Sequence, residues 1–420
     1  MNLVWGTITL VDEDYCQVTV DGREGENGAV AYRNLVGTIE VGDRVLLNTT
    51  AVDLGLGTGG DHFVVARIAK DAQPEGVAYS SESGGHLMKL RYSPMQRDVL
   101  AVESPEASTH KIMEKVTSLE DIPVVCCGLH SQMPIVAATV KAIAPHLRVG
   151  YVMTDQAALH MDYSCVVKEC VQQGLIDTTV STGQALGGEY EAINLYSGLL
   201  AACHVGACDV VIVAIGPGVA GTGTPFGHGG IAQGEAINAV ASLGGRPIAV
   251  LRMSFADERE RHQGISHHTM TALESVALAP AIIPVPLTSD PEQTIQIEDQ
   301  LNGLTGAVEH HGIFFEEPIF DSEHLGGMKV TTMGRGYDED PIFFEAAAAA
   351  GAVAAQIGST VADDAINAFR ETMKDSGTIF GDESDESCAP SACASCKIAC
   401  PSAGDSSEKP AYESDTGSDD

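Results

Sequence analysis

DVVIVAIGPGVAGTGTPFGHGGIAQGEAINAV, residues 209–240, reads as a buried strand, a long glycine loop and an amphipathic helix. A strand so continuously apolar has no water-facing side, which suits a parallel sheet covered on both faces. Open α/β sheets bind ligands just beyond the carboxyl ends of their strands. The loop's glycines permit positive φ and close approach of backbone N–H groups to a ligand, and the following helix adds the positive end of its dipole. Gly216, Gly218, Gly221, Thr222, Gly223 and Thr224 are therefore a candidate anion cradle.

The same alternation extends on both sides. From Ile122 onward, apolar runs (IPVVCC, RVGYVM, DTTVS, PIAVLRM, AIIPVPL) alternate with helical stretches (PIVAATVKAIA, CVVKECVQQ, YEAINLYSGLLAAC, TMTALESVAL). That pattern predicts an α/β fold, a doubly wound, mostly parallel Rossmann-like sheet over residues 85–375. HLMKLRYSP and RDVLAVES read as a strand pair near a sheet edge, MKVTTM as a further strand, and Asp340–Pro341 as the start of a helix. Residues 1–70 carry short β-rich runs with Asp, Gly and Asn turns, which predict a small barrel of OB-like or barrel-sandwich type. Within it LNTTAVDLGLGTGGDHF (47–63) is polar and glycine-rich for a hairpin, and reads as a connecting or functional loop. Residues 376–420 form an acidic, serine-rich, cysteine-containing tail expected to be disordered.

The net charge of −35 argues against nucleic acid and anionic membranes as partners, leaving a small molecule. Self-association stays open. Eleven cysteines, an odd total, with no secretory leader point to the reducing cytoplasm. By this reading no run reaches the roughly 20 apolar residues of a transmembrane helix, the alanine-rich stretch from Ala346 being too short and too weakly hydrophobic.

Polar motifs fall after successive strands: GLHSQMP (128–134), TDQAALHMD (154–162), STGQALGGEYEAIN, the glycine loop and SFADERERHQGISHH (254–268). In a parallel sheet these share one edge and converge on one pocket, whereas the opposite connections are short and plain. GPGVAG matches G-x-G-x-x-G, but its helix starts several residues late and Arg252 stands where an NAD site wants an acid. NAD(P) is therefore disfavoured. Arg252, Arg259 and Arg261, with Ser266, suggest guanidinium clamps for an anion; their bland reading is neutralisation of Asp257, Glu258 and Glu260. His262, His267 and His268 suit acid–base work or, with Asp155 or Glu189, a divalent metal. His268 also reads as a helix cap. His130 and Asp155 would line the pocket; Glu189, Glu191 and Asn194 read as opening a helix. Cys388, Cys393, Cys396 and Cys400 have a spacing able to hold zinc or an iron–sulfur cluster, in a tail without an apolar shell.

LNTTAVDLGLGTGGDHF, MKLRYSP, GLHSQ, YVMTD, GPGVAGTGTP, SFADERERHQGISHHTMTAL and TTMGRGYDEDP together resemble an uncharacterised bacterial family, domain of unknown function thirty-eight sixty-six, over residues 1 to about 360. The resemblance implies no activity. His130, Asp155, Asn194, Arg259, Arg261, His262, His267 and His268 match its pattern. His160 and His228 replace an expected proline and aromatic residue, which argues against catalytic roles, and Gln156 and Gln184 also depart from it. The reading favoured is an enzyme performing hydrolysis or group transfer on a small anionic or polar metabolite. A non-catalytic metabolite sensor is the rival, and a metal or iron–sulfur carrier using the cysteine tail the third.

Overall fold

The computed structural model describes residues 3–49, 52, 60–68, 84–90 and 97–375. Most of the 47–63 loop, and Cys388, Cys393, Cys396 and Cys400, lie outside these residues. Met1–Ile366 form one compact unit, to which everything below belongs.

The N-terminal barrel is closed by five strands: β1 (Leu3–Asp12), β2 (Tyr15–Val20), β3 (Glu26–Val30), β4 (Arg44–Asn48) and β5 (His62–Ile68). Their order is β1-β2-β3-β5-β4, and the ring closes where β4 pairs antiparallel with β1. Alternate residues point inward, so Val18, Val20, Val45, Leu47 and Val64 fill a small core while their neighbours face outward.

The main sheet has eight parallel strands: β8 (Pro123–Cys126), β9 (Val149–Thr154), β10 (Thr178–Ser181), β11 (Tyr190–Glu191), β12 (Val210–Ile215), β13 (Arg246–Ala249), β16 (Ile282–Pro286) and β17 (His311–Phe315). Across the sheet they run β11-β10-β9-β12-β8-β13-β16-β17. Two short hairpins stand apart, β6 (Leu87–Lys89) with β7 (Arg97–Val99), and β14 (Met253–Ser254) with β15 (Gly264–Ile265). The strand order reverses at the centre. From β8 the chain winds outward to β11, returns through β12 into the gap beside β8, and continues outward from β13. Helices Met133–Ile143 and Cys165–Gln172 therefore cover one face, together with Phe343 and Phe344 of the last helix. Helices Leu195–His204 and Ala232–Ser242, with Ile297, cover the other. Oppositely directed connections thus part at the carboxyl ends of β9, β12 and β8, the place where open α/β sheets form a ligand crevice.

Four local expectations change. Residues 190–191 are an edge strand, and the next helix begins only at Leu195, where the Asn194 side chain accepts Ser197 N. MKVTTM has its alternate residues Met328, Val330 and Thr332 buried, yet forms no ladder and only an isolated Thr332–Arg335 bridge. Its period-two pattern records burial, not pairing. HGIFF is instead the last strand, parallel to β16. The helix beginning at Pro341 is, over Pro341–Ala362, long and apolar enough to cross a membrane by composition, since Ile342, Phe343, Phe344 and Val353 extend the alanine run. With 78% of that stretch buried inside the protein, it serves as a core helix.

Candidate functional site

The glycine loop carries a histidine into the crevice. Beyond β12 the chain folds back on itself: Thr222 N donates to Gly227 O at 2.8 Å, Gly227 N donates to Thr224 Oγ1 at 3.1 Å, and Gly221 bridges His228. Thr222 and Thr224 also bond each other through their hydroxyls. Several groups expected to cradle an anion are thus spent on the loop itself, and Thr222, Gly223 and Thr224 are exposed. What the loop delivers inward is His228. A Cβ at Gly221 would sit 3.4 Å from His268 Cε1, and one at Gly230 only 3.0 Å from His228 Nδ1. These two glycines let the loop backbone press against the imidazoles.

Four imidazoles gather there. His228 and His268 stack with ring centroids 3.8 Å apart and planes within 10°. His267 lies 4.4 Å from His268, and His262 lies 5.0 Å from His267 and 5.1 Å from His268. The segment that supplies three of them leaves β13 through the β14–β15 hairpin. It enters the His267–Thr271 turn, whose cap is Ser266, not His268: Ser266 Oγ accepts His268 N. The same hydroxyl meets His262 Nδ1 at 2.7 Å.

Beneath the rings lies an arginine–carboxylate network. Arg259 grips Asp257 with two bonds of 2.8 and 2.7 Å. Arg335 Nη2 stands 3.6 Å and Arg252 Nη2 4.0 Å from the same carboxylate. Arg335 also binds Asp340, whose Oδ2 accepts from Ser254 Oγ at 2.7 Å. Arg252, 8% exposed, donates to His268 Nδ1 at 3.1 Å. Three guanidiniums face two carboxylates, leaving an excess positive charge under the imidazoles.

That setting disfavours imidazolium. Burial, then Arg252 and Arg259, push His262 down to about 3; burial, His228 and Arg252 push His268 down to about 2. His228 and His267 are lowered as well, by burial first. All four are neutral bases at neutral pH. Arg259's hydrogen bonds hold the Asp257 carboxyl well below the usual carboxylate range, so that charge is fixed.

The structure therefore brings together Gly221, Arg252, Arg259, His262, Ser266, His267 and His268, and adds His228, Asp257, Arg335 and Asp340. The sequence left a signal for the last two in GRGYDED. His228 gave none, because only the fold-back of the loop aims it. Arg261 is exposed on the rim and acts on His267 through charge. Asn194 is a helix cap. Asp155 turns toward the β10 side, where its Oδ2 accepts Gln184 N at 2.9 Å. Glu189 N donates to Thr179 Oγ1, away from the imidazoles.

His130 forms a separate constellation. Its Nε2 meets Ser164 Oγ at 2.7 Å, while Nδ1 faces Ile215 O and the Tyr151 hydroxyl, each at 3.3 Å. Burial pushes this imidazole down from 6.5 to about 4. The unfolded chain takes up a proton near 6.5 but the folded chain not until about 4. Stability is therefore complete above the higher value and falls as pH drops between the two, by roughly 3 kcal/mol. Denaturant titrations at about pH 7.5 and about pH 4.5 should show the wild type losing more than His130→Gln over this interval. Equal losses would refute the assignment.

With this geometry in view, a family model described as "Protein of unknown function (DUF3866)" matches residues 28–351, from the third barrel strand into the last helix. No curated protein and no solved structure matches the chain.

Proposed function

The chain belongs to the DUF3866 family, and we propose that it is an enzyme performing hydrolysis or group transfer on a small anionic metabolite at the carboxyl edge of its sheet. One observation carries this reading: neutral imidazoles packed beside a partly buried, net-positive arginine network, with Arg252 at its buried end, at the point where the strand order reverses. A general base needs an unprotonated ring with an open lone pair, and an anion needs fixed positive charge in a place of reduced screening. His228 meets the first need, because its Nε2 faces Pro225 O at 2.9 Å and so donates, leaving Nδ1 as the basic nitrogen. Arg252 supplies the second from a rigid position, with Arg261 at the rim. Arg259 acts indirectly by holding Asp257 in place. A small metabolite of the cytoplasm fits these groups better than a macromolecule, since the polar groups converge within one crevice.

The test is a screen of the purified chain against small phosphate, sulfate and carboxylate esters, with product detection. His228→Ala is expected to cut turnover by about 10²–10⁴-fold. Ligands that bind without turnover would establish the sensor reading instead, and turnover indifferent to His228 would refute this one.

A further inference from the structure

We infer that His228, His267 and His268 bind one divalent transition-metal cation of the zinc type, with a coordination position left open. One ring nitrogen from each histidine lies within 4.8 Å of the other two. Metal-bound imidazoles typically donate their second N–H to a carbonyl or carboxylate, which fixes the tautomer and aims the lone pair. His228 has that arrangement, with Nε2 on Pro225 O. Its Nδ1 is buried and lacks a hydrogen-bond partner, and the whole residue is only 7% exposed. His267 Nε2 is likewise buried and unpartnered. Two orphaned ring nitrogens in one cluster cost free energy unless something satisfies them. A cation satisfies both at once.

His268 joins on different terms. Its Nδ1 accepts from Arg252, so the neutral ring carries its proton on Nε2. Binding through Nε2 requires the ring to carry its proton on Nδ1 and the Arg252 N–H to withdraw from that nitrogen. Binding through Nδ1 instead moves the guanidinium toward Asp257, 4.0 Å from Arg252 Nη2. His262 stays outside the set because its Nδ1 is engaged by Ser266. Three imidazoles with no carboxylate or thiolate favour zinc, cobalt(II) or nickel(II) over magnesium or calcium. The set matches the three-ligand pattern in which the fourth position takes water or substrate. The excess positive charge below then favours an anion in that position.

The cation takes the same His228 Nδ1 lone pair that serves as the proposed general base, so base catalysis by His228 belongs to the metal-free protein, and the test of the site reads binding alone. Chelator-stripped full-length protein is titrated with cobalt(II), then zinc, while absorbance is followed. One equivalent should bind with tetrahedral d–d bands and no thiolate-to-cobalt charge transfer. That signature separates it from a metal held by the tail cysteines. His228→Gln and His267→Gln should abolish the d–d bands, and His262→Asn should keep them. If a Gln variant fails to fold, the wild type decides by its melting temperature, which zinc should raise and chelator restore. Charge-transfer bands alone, d–d bands that survive both Gln substitutions, or no change in wild-type melting would overturn the inference. Turnover persisting in chelator would leave the enzymatic reading intact and count only against a catalytic metal.

Discussion

Asp257→Ala should destabilise the protein by about 3–5 kcal/mol, because one carboxylate holds three guanidiniums together. The side chain of Asp257 is 4% exposed and that of Arg252 8% exposed, so water cannot replace the lost charge at Arg252, whereas Arg259, 39% exposed, can turn to solvent. Arg259 has two bonds to Asp257, and Arg335 and Arg252 approach it at 3.6 and 4.0 Å. Removing the carboxylate leaves Asp340 to face all three cations. Arg335 retains its bond to Asp340, but Arg252 is left buried with only a neutral imidazole as acceptor. Breaking a buried ionic network by deleting one member is costly for this reason, even where the intact network adds little net stability. Urea unfolding of wild type, Asp257→Ala and Asp257→Asn provides the measurement. Asn preserves volume and part of the hydrogen bonding but not the charge, so a loss close to that of Ala would assign the effect to electrostatics. A loss below about 1 kcal/mol in both would show that the arginines relax into solvent.

This network also shows how far the sequence could be read. The sheet was legible because strands such as VVIVAI and helices such as PIVAATVKAIA repeat a local period that needs no tertiary information. The convergence of polar segments on one edge followed, since parallel strands place every βα loop on the same side. Contacts between distant segments were not legible. Asp257 lies two residues from Arg259, so a solvated local pair looked sufficient; its burial comes from Arg335 and Asp340, more than seventy positions away. His228 looked unpromising because it stands where the family pattern has an aromatic residue. Its direction depends on the Gly221–His228 bridge that folds the loop back. His130 read only as pocket lining, and nothing local pointed to its partner Ser164, the cap of a later helix. Periodicity reports which face of an element is buried; it does not report which loops meet.

Lys89→Met should be nearly as damaging, again by about 3–5 kcal/mol, at the far edge of the sheet. Lys89 is 4% exposed, and its ammonium reaches Glu191 Oε2 and Ala185 O at 2.7 Å each and Ser181 O at 3.2 Å. All three ammonium protons are thereby placed. Glu191 accepts in turn from Ser181 Oγ and Gly187 N, at 2.7 and 2.8 Å. One lysine of the β6–β7 hairpin thus ties β10, β11 and the loop between them, and Val102 N extends the seam by donating to Glu191 O. Methionine fills similar volume but leaves Glu191 without its counter-charge and Ala185 O without the ammonium donor, while Ser181 O keeps Ala192 N at 2.9 Å. A buried group left unsatisfied costs about 1–3 kcal/mol. The double variant Lys89→Met with Glu191→Gln removes the uncompensated charge, so it should recover part of the loss. A coupling energy of about 1–3 kcal/mol in that cycle is expected. Hydrogen exchange should quicken first at β11, a two-residue strand that the hairpin otherwise shields at the open edge of the sheet. If Lys89→Met unfolds like wild type and β11 exchanges no faster, the hairpin is held by apolar packing instead. In that case the buried ammonium would be incidental to the integrity of this edge.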